Sequence, residues 1–174
     1  MINNLSYQDQ DCNLTLEEGI GEYRRYLVTI GREVMSDVDN PSSLILEHDA
    51  THVVFGLNTS LEQEALLDTW VLFGCSWKVK YLLEYGRLPD VKRLSKALYK
   101  ELGVLGFLRL YFHVLPRKWK VLRRCLRMNA KWPFRFPKQH LSRNIASIRK
   151  EYGIKILSMG ERSRSVEIDW SGEY

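Results

Sequence analysis

Apolar residues recur along most of the chain with the period of an amphipathic helix, and polar signals mark the expected helix ends. Thr15, with Glu18 three residues later, forms the capping box of a first predicted helix. Asn40 and Pro41 match the N-cap and the first position of a second helix, which Gly56 is expected to end. These signals predict two helices before the GLNTS turn.

The rest of the chain is also predicted to be mostly helical. A third helix is expected to begin at Thr59 or Ser60 and to run to Gly86. Further helices are predicted to begin at Pro89, within the apolar stretch 100–115, at Pro116 and near 141–152, with Gly153 as the last stop signal. The tail, 155–170, is expected to form a small hairpin or to lie irregular. The pattern therefore predicts an all-α protein, with a loose segment at 1–13 and one compact helical domain at 14–174.

The net charge of +5 conceals a strongly basic block. All 21 acidic residues lie outside 102–150, whereas 13 of the 26 lysines and arginines lie within it. Aromatic residues are frequent in the same block. Such a segment favours an anionic partner, whether a phosphate, a lipid head group or nucleic acid.

Other features argue against several classes of protein. The three scattered cysteines predict a reducing compartment rather than a disulfide framework. The polar, acidic N-terminus has neither the apolar core of a signal peptide nor the arginine-rich character of a transit peptide. No apolar run approaches the length needed to cross a bilayer.

One apolar segment contains a group of potential metal ligands. In LEHDATHVVFG, His48 and His52 stand four residues apart, so on a helix they point the same way, roughly 5–6 Å apart at Cβ. Asp49 lies on their flank, where it could bind the ion or orient an imidazole. Glu64 follows the turn, eleven residues after His52, and could face back across two antiparallel helices. Two imidazoles with one or two carboxylates suit zinc, and also iron.

A structural interpretation of the same residues stays open. HDxxH is a short pattern, and a histidine pair on a helix is often a core pair tied to a nearby carboxylate. A zinc protease fits poorly, because Asp49 is one methylene shorter than the glutamate base of H-E-x-x-H. Glu64 after a clean turn favours the metal. His113 and His140 are expected to be structural or surface groups.

Two predicted helices of the basic block suggest a lipid groove or a membrane surface. Only Arg109 and His113 interrupt the apolar stretch 102–115, which is too short to span a bilayer but suits a lipid groove or an interface. The next helix combines an apolar stripe with many basic residues, a pattern typical of helices on anionic membranes, although a solvated face packed against the core is equally compatible. The predicted residues are Leu105, Leu108 and Phe112 for the lipid, and Arg123, Arg124 and Arg127 for the anionic surface. Nucleic acid is the competing partner, but no nucleic-acid-binding signature supports it.

The HDATH motif, the eleven residues after it and Glu64 resemble the metal motif of a ubiquinone-biosynthesis family, coenzyme Q biosynthesis protein four. The GLNT turn after the motif is similar to the family's. Fainter similarities lie at SIRKEYGI, 147–154, and at HVLPRKW, 113–119. Family members carry a Gly-Leu-Pro stretch soon after the glutamate, whereas this chain reads FGCSWKVK. If that stretch shapes the ring pocket, the difference favours a divergent paralogue that acts on another prenyl lipid. The organelle-targeting extension of eukaryotic members is also missing, which favours a bacterial-type or processed chain.

The resemblance implies an all-α, membrane-peripheral protein that acts on polyprenylated ring intermediates of ubiquinone or presents them to other enzymes. It assigns ligand roles to His48, Asp49, His52 and Glu64. The implied activity is a metal-dependent oxidative decarboxylation, with hydroxylation, at C1 of a prenylated hydroxybenzoate. The alternative is a non-catalytic scaffold that binds the prenyl lipid and organises the other biosynthetic enzymes.

These interpretations also specify a cofactor, partners and a location. Zinc is the first expected metal, with iron and magnesium as alternatives. The expected partners are a polyprenyl lipid or quinone precursor, an anionic membrane surface and other quinone-biosynthesis proteins, but no nucleic acid. A homodimer stays open. The expected location is the cytoplasm, peripheral on the inner membrane face.

Overall fold

The computed structural model describes residues 5–32, 34, 44–78, 83 and 89–162, and these are mostly helical, as predicted. The helices are α1 (Leu16–Thr29), α2 (Leu44–Phe55), α3 (Leu61–Gly74), α4 (Pro89–Cys125), α5 (Ile145–Tyr152) and α6 (Met159–Arg162). Short 3-10 turns lie at Ser6–Gln8 and Lys138–His140. Two strands of two residues each, β1 (Cys75–Ser76) and β2 (Trp132–Pro133), pair in parallel.

Local sequence decides several helix ends. The Thr15 hydroxyl accepts a hydrogen bond from the Glu18 main-chain N–H at 3.2 Å, and the Glu18 carboxylate accepts one from the Thr15 N–H at 2.8 Å. The predicted capping box is therefore present. Gly56 and Gly153 follow α2 and α5 with φ of 68°, the left-handed conformation that ends helices. The predicted helix start at Asn40 lies outside the described residues.

The third helix is shorter than predicted. It ends at Gly74 rather than at Gly86, because the chain continues into β1, where Cys75 pairs with Trp132. This pairing joins residues far apart in sequence, so no local signal marks it.

The long helix α4 also differs from the prediction. Pro116 does not begin a helix but lies inside α4. The break falls at Gly103, whose φ of 58° and ψ of 179° are not helical. A Cβ at Gly103 would meet nothing within 4 Å, so the backbone conformation rather than crowding favours glycine there.

The core surrounds α2 and α3: α2 buries ten of its twelve residues, and α3 buries eight of its fourteen. In α1, a Cβ at Gly19 would come within 2.7 Å of the side chains of Val53 and Ile145, so glycine permits the close approach of α1 to α2. Leu5, Tyr7 and Cys12 of the N-terminal segment are buried members of this core. This part of the N-terminal segment is therefore packed rather than loose.

A fully buried arginine attaches α5 to the end of α2. Among the described residues, the Arg149 guanidinium donates hydrogen bonds only to main-chain carbonyls, those of Tyr7, Asp9, Gln10, Val53 and Val54. Burial lowers the pKa of Arg149 to about 10, so the group stays charged at neutral pH. Its charge faces the carbonyl end of α2, where the helix dipole favours a cation. The C-terminal end of α2 is thus held by residues from two distant segments.

Candidate metal centre

The turn between α2 and α3 returns the chain toward the histidines. The Gly56 N–H donates to the Val53 carbonyl at 3.2 Å, and the Leu57 N–H donates to the His52 carbonyl at 2.9 Å. These two bonds form a Schellman motif, which closes the carbonyl end of α2. Five residues separate the end of α2 from the start of α3, and Glu64 lies in the first turn of α3.

The start of α3 is organised differently from the prediction. Ser60 is the N-cap residue, but its side chain makes no capping hydrogen bond. Instead, Gln63 Oε1 accepts from the Asn58 N–H at 2.8 Å, and Asn58 Oδ1 accepts from the Ser60 N–H at 3.0 Å. Side-chain amide oxygens thus satisfy the main chain of the turn.

Three of the four predicted ligands meet at one point. Single ligand atoms of His48, His52 and Glu64 all lie within 4.8 Å of one another. His52 Nε2 is 3.4 Å from Glu64 Oε1, and the two imidazole rings meet edge to face with centroids 4.7 Å apart. The i, i+4 spacing and the turn therefore bring together the groups that a divalent cation requires.

His52 is oriented with its Nε2 toward the cluster. Its Nδ1 lies 3.3 Å from the Leu57 carbonyl, which can only accept, so Nδ1 carries the proton and Nε2 the lone pair. The side chain is fully buried, and Tyr23 stacks on it with centroids 4.7 Å apart. Burial, with the nearby His48, lowers the pKa of His52 well below its usual range. A neutral imidazole is the form that binds a metal.

The environment of His52 Nε2 shows whether the cluster suits a metal ion. It is buried and makes no hydrogen bond that satisfies normal geometry within the described residues. A buried polar atom without a partner is costly, and a cation at the cluster would give it one. Two imidazole nitrogens and one carboxylate are also a common protein donor set for zinc that keeps a further position open. The residues present therefore fit a divalent cation.

Glu64 and His48 form the solvent side of the cluster, with side chains 34% and 24% exposed. Desolvation raises the pKa of Glu64 to about 7, opposed by the charge of His48. Desolvation lowers the pKa of His48, but the nearby carboxylates of Asp49 and Glu64 outweigh it, so this pKa is raised. Glu64 therefore holds a proton near neutral pH at the position that a cation would occupy.

Asp49, the fourth predicted ligand, is not part of the cluster. Its Oδ2 accepts a hydrogen bond from Arg24 Nε at 2.7 Å, and its Oδ1 lies 3.9 Å from His48 Nδ1. Sequence analysis did not find Arg24, because this residue lies on α1 and only the packing of α1 on α2 brings it to the site.

The predicted lipid residues lie on an open face of α4. Leu105 is 82% exposed, Leu108 48% and Phe112 67%. The opposite side of α4 is buried, with Leu110 and Val114 packed in one cluster with Leu61 at the start of α3. The exposed apolar stripe comprises Val104, Leu105, Leu108, Tyr111, Phe112 and Trp119 of α4, with Leu126 directly after the end of the helix. At 100° per residue these positions fall within an arc of about 120°.

An open cavity of about 1010 Å³ lies elsewhere, beside segments 8–11 and 153–159.

The three predicted surface arginines have different environments. Arg123 and Arg127 are exposed. Arg124 instead donates to Glu161 Oε2 at 2.7 Å, which connects α6 to α4. The Arg124 hydrogen bond, with those from Ser158, lowers the pKa of Glu161 to about 2. Arg124 is therefore an internal ion-pair partner rather than a freely presented surface charge.

A second ionic cluster, which sequence analysis missed, joins α3 to α4. Glu62 is 2% exposed, and its carboxylate lies 3.0 Å from His113 Nε2 and 2.7 Å from Arg117 Nη1. Glu62 and Glu64 are two residues apart, which on a helix turns their side chains to opposite sides. One side of α3 thus contacts α4 while the other completes the candidate metal centre.

Comparisons with known proteins do not add a relative: no family model, no curated protein and no solved structure matches the chain. Within the described segments, no helix is both long enough and apolar enough to cross a membrane. The fold and the site define a mostly helical chain with a candidate centre of two histidines and one glutamate.

Proposed function

We propose that this chain is a divalent-metal protein of prenyl-quinone metabolism, related to the ubiquinone-biosynthesis family that its HDxxH motif resembles. The observation that carries the proposal is the convergence of His48, His52 and Glu64 around a buried imidazole nitrogen that has no hydrogen-bond partner in the described part of the chain. Zinc is the proposed metal, because two nitrogen donors and one carboxylate are a frequent zinc set. The proposed substrate is a polyprenylated hydroxybenzoate.

A bound zinc ion would supply Lewis-acid polarisation of an anionic ring substituent such as a carboxylate. The chain's own residues would divide the remaining work. His52, fixed by the Leu57 carbonyl and stacked on Tyr23, forms the rigid inner wall of the site. His48 and Glu64 form its solvent side and leave an approach for a substrate. This arrangement supports a catalytic centre with an open coordination position rather than a closed structural one.

The exposed apolar stripe supports a lipid-facing role. Seven large apolar side chains on one face exceed what a solvated helix needs, and such patches mark interaction sites. Arg123 and Arg127 lie along one edge of the stripe, and no acidic residue occurs anywhere in 102–150. We place this face on the cytoplasmic side of the inner membrane, where it contacts anionic lipid and the prenyl tail.

A non-catalytic scaffold is the second candidate. In that role the metal stabilises the helix pair, and the open stripe presents a prenyl lipid to other biosynthetic enzymes. The exposed apolar stripe on α4 favours the scaffold role, because its side chains are accessible to a second protein. Turnover of a prenylated hydroxybenzoate by the zinc-loaded protein, compared with binding of the same compound without turnover, separates the two.

The metal is tested by native mass spectrometry and elemental analysis of the purified protein. We expect about one zinc per chain, and we expect His48→Ala with His52→Ala to remove it, because each change deletes a nitrogen ligand. His113→Ala is the matched control, since this histidine lies on α4 and faces Glu62. Equal metal content in the double variant and the control would end the proposal of a metal centre.

The membrane contact is tested by vesicle sedimentation. Binding to anionic vesicles should weaken with added salt, and Arg123→Gln or Arg127→Gln should each weaken it roughly fivefold. Lys138→Gln is the control, because this exposed lysine lies outside α4. Equal binding to neutral and anionic vesicles would refute the electrostatic contribution, and preference for nucleic acid over vesicles would refute the partner.

A further inference from the structure

The carboxylate of Asp49 lies beside the candidate metal centre, between His48 and Arg24. Its two oxygens have different neighbours: Oδ2 accepts from Arg24 Nε at 2.7 Å, and Oδ1 is 3.9 Å from His48 Nδ1. The side chain is only 7% exposed, so both oxygens remain close to these neighbours. The short contact with Arg24 occupies Oδ2, and the remaining oxygen, Oδ1, is directed to the His48 ring.

We infer that Asp49 is a positioning residue rather than a ligand, and that Arg24 on α1 holds it in place to orient His48. The inference rests on the proposed metal centre, whose ligands are then His48, His52 and Glu64. It corrects the assignment of Asp49 that the HDxxH motif suggests. It also gives α1 a role in the site that its own sequence does not indicate.

The chemistry of a histidine ligand supports this assignment. An imidazole that binds a metal through one nitrogen usually donates its other N–H to a carboxylate or a carbonyl, which fixes the tautomer. His52 has such an acceptor in the Leu57 carbonyl, at 3.3 Å. Asp49 Oδ1 is the corresponding acceptor for His48. The 3.9 Å between Asp49 Oδ1 and His48 Nδ1 is longer than a hydrogen bond, and contacts of this kind commonly shorten when a ligand binds in the site.

Arg24 explains why the acceptor is a carboxylate on the same helix. Asp49 lies one residue after His48, about 100° further around α2, so it needs an external anchor to turn toward the imidazole edge. The Arg24 Nε–H provides this anchor and partly neutralises the buried charge. The Arg24, Asp49 and His48 side chains thus form a chain from α1 to the centre.

The tautomer of His48 can be measured without any metal. Two-dimensional ¹⁵N–¹H NMR of the metal-free protein at pH 8.5 reports which imidazole nitrogen carries the proton. We expect His48 to be protonated at Nδ1 in the wild type and to shift toward Nε2–H in Asp49→Asn and in Arg24→Gln. His52 should keep its Nδ1–H form throughout. Arg25→Gln, an exposed neighbour on α1, is the matched control and should change neither ring.

Metal binding supplies the second readout. Zinc affinity should fall about 10–100-fold in Asp49→Asn and in Arg24→Gln, with no further loss in the double variant, whereas His48→Ala should abolish most binding. Arg24→Lys should restore part of the affinity. The visible spectrum of bound cobalt should keep its band positions in Asp49→Asn, because the ligand set is unchanged.

The outcomes separate the positioning role from its alternatives. A changed cobalt spectrum, with a loss of affinity as large as that of His48→Ala, would show that Asp49 is a ligand. Unchanged tautomers and unchanged zinc affinity would show that Arg24 and Asp49 only attach α1 to α2. If the wild type binds no metal, the proposed function fails, while the His48 tautomer in the metal-free protein still decides whether Asp49 orients this ring.

Discussion

Replacing Arg149 by methionine removes the group that holds together the N-terminal segment, α2 and α5. Three of its acceptors, the carbonyls of Tyr7, Val53 and Val54, form buried hydrogen bonds at 2.6–2.9 Å. Methionine fills similar space but donates nothing, so the Tyr7 and Val54 carbonyls lose their donor in a region that water does not reach, whereas the Val53 carbonyl keeps the Gly56 N–H. A buried acceptor left unsatisfied costs about 1–3 kcal/mol, which gives roughly 2–6 kcal/mol for the two.

Part of this cost is recovered, because the variant no longer buries a guanidinium without a carboxylate partner. We therefore expect Arg149→Met to lower the free energy of unfolding by about 2–4 kcal/mol, a large fraction of the roughly 5–15 kcal/mol of a typical domain. For a chain of this size the melting temperature should fall by roughly 4–16 °C. Arg149→Lys keeps the charge but can donate to fewer carbonyls, so its loss should be intermediate.

Urea denaturation followed by circular dichroism measures these changes. Lys150→Met is the matched control, because this neighbouring side chain is exposed, and it should alter stability by about 0.5 kcal/mol or less. Where Arg149→Met still folds, its zinc affinity should also fall, since Val53 follows His52 directly. Stability of Arg149→Met within about 1 kcal/mol of the Lys150→Met control would refute the claim that the buried carbonyls depend on Arg149.

Other parts of the structure give three further predictions. Zinc affinity should fall about tenfold per pH unit below about pH 7, because desolvation raises the pKa of Glu64 to about 7 and zinc must then displace the proton of this carboxyl group. Chelator competition between pH 8 and 6 measures the affinity, and an affinity that does not change with pH would contradict the prediction. Gly153→Ala should lower the free energy of unfolding by about 1–2 kcal/mol in urea titrations, because φ is 68° and the new Cβ would lie 2.8 Å from the Asn129 main-chain nitrogen. Gly160 has open space around it, so Gly160→Ala should leave the free energy of unfolding nearly unchanged. Leu108→Asp should reduce recovery of prenyl lipid by organic extraction and mass spectrometry without changing metal content, because a carboxylate on the apolar face opposes lipid contact.

Local chemistry in the sequence was sufficient for the mostly helical class and for several helix ends. The Thr15 capping box and the left-handed glycines after α2 and α5 depend on residues within a few positions of each other, so their effects survive in any tertiary context. The same holds for the two histidines, since a spacing of four residues places them on one face of any helix. The short turn before Glu64 made its return toward His52 predictable.

Tertiary contacts decided the features that the sequence left open or misassigned. Gly74 ends α3 because the next residues pair with a strand beginning at Trp132, and the break in α4 falls at Gly103 rather than at Pro116. The exposed apolar stripe became recognisable only after the packing of α4 on α3 showed which of its sides is buried. A pattern along the chain gives the period of apolar residues but not which side meets the core.

The surroundings of the candidate centre show the same division. The sequence by itself identified His48, His52 and Glu64, because their spacing lies within one helix pair. Only the tertiary structure separated Asp49 from them, by placing Arg24 at 2.7 Å from its carboxylate. Partners 25 residues away in α1, or 95 away in α5, reach α2 only after the helices pack. Ligand identity is therefore encoded locally, whereas ligand orientation is decided by packing, because orientation depends on hydrogen bonds that cross between elements.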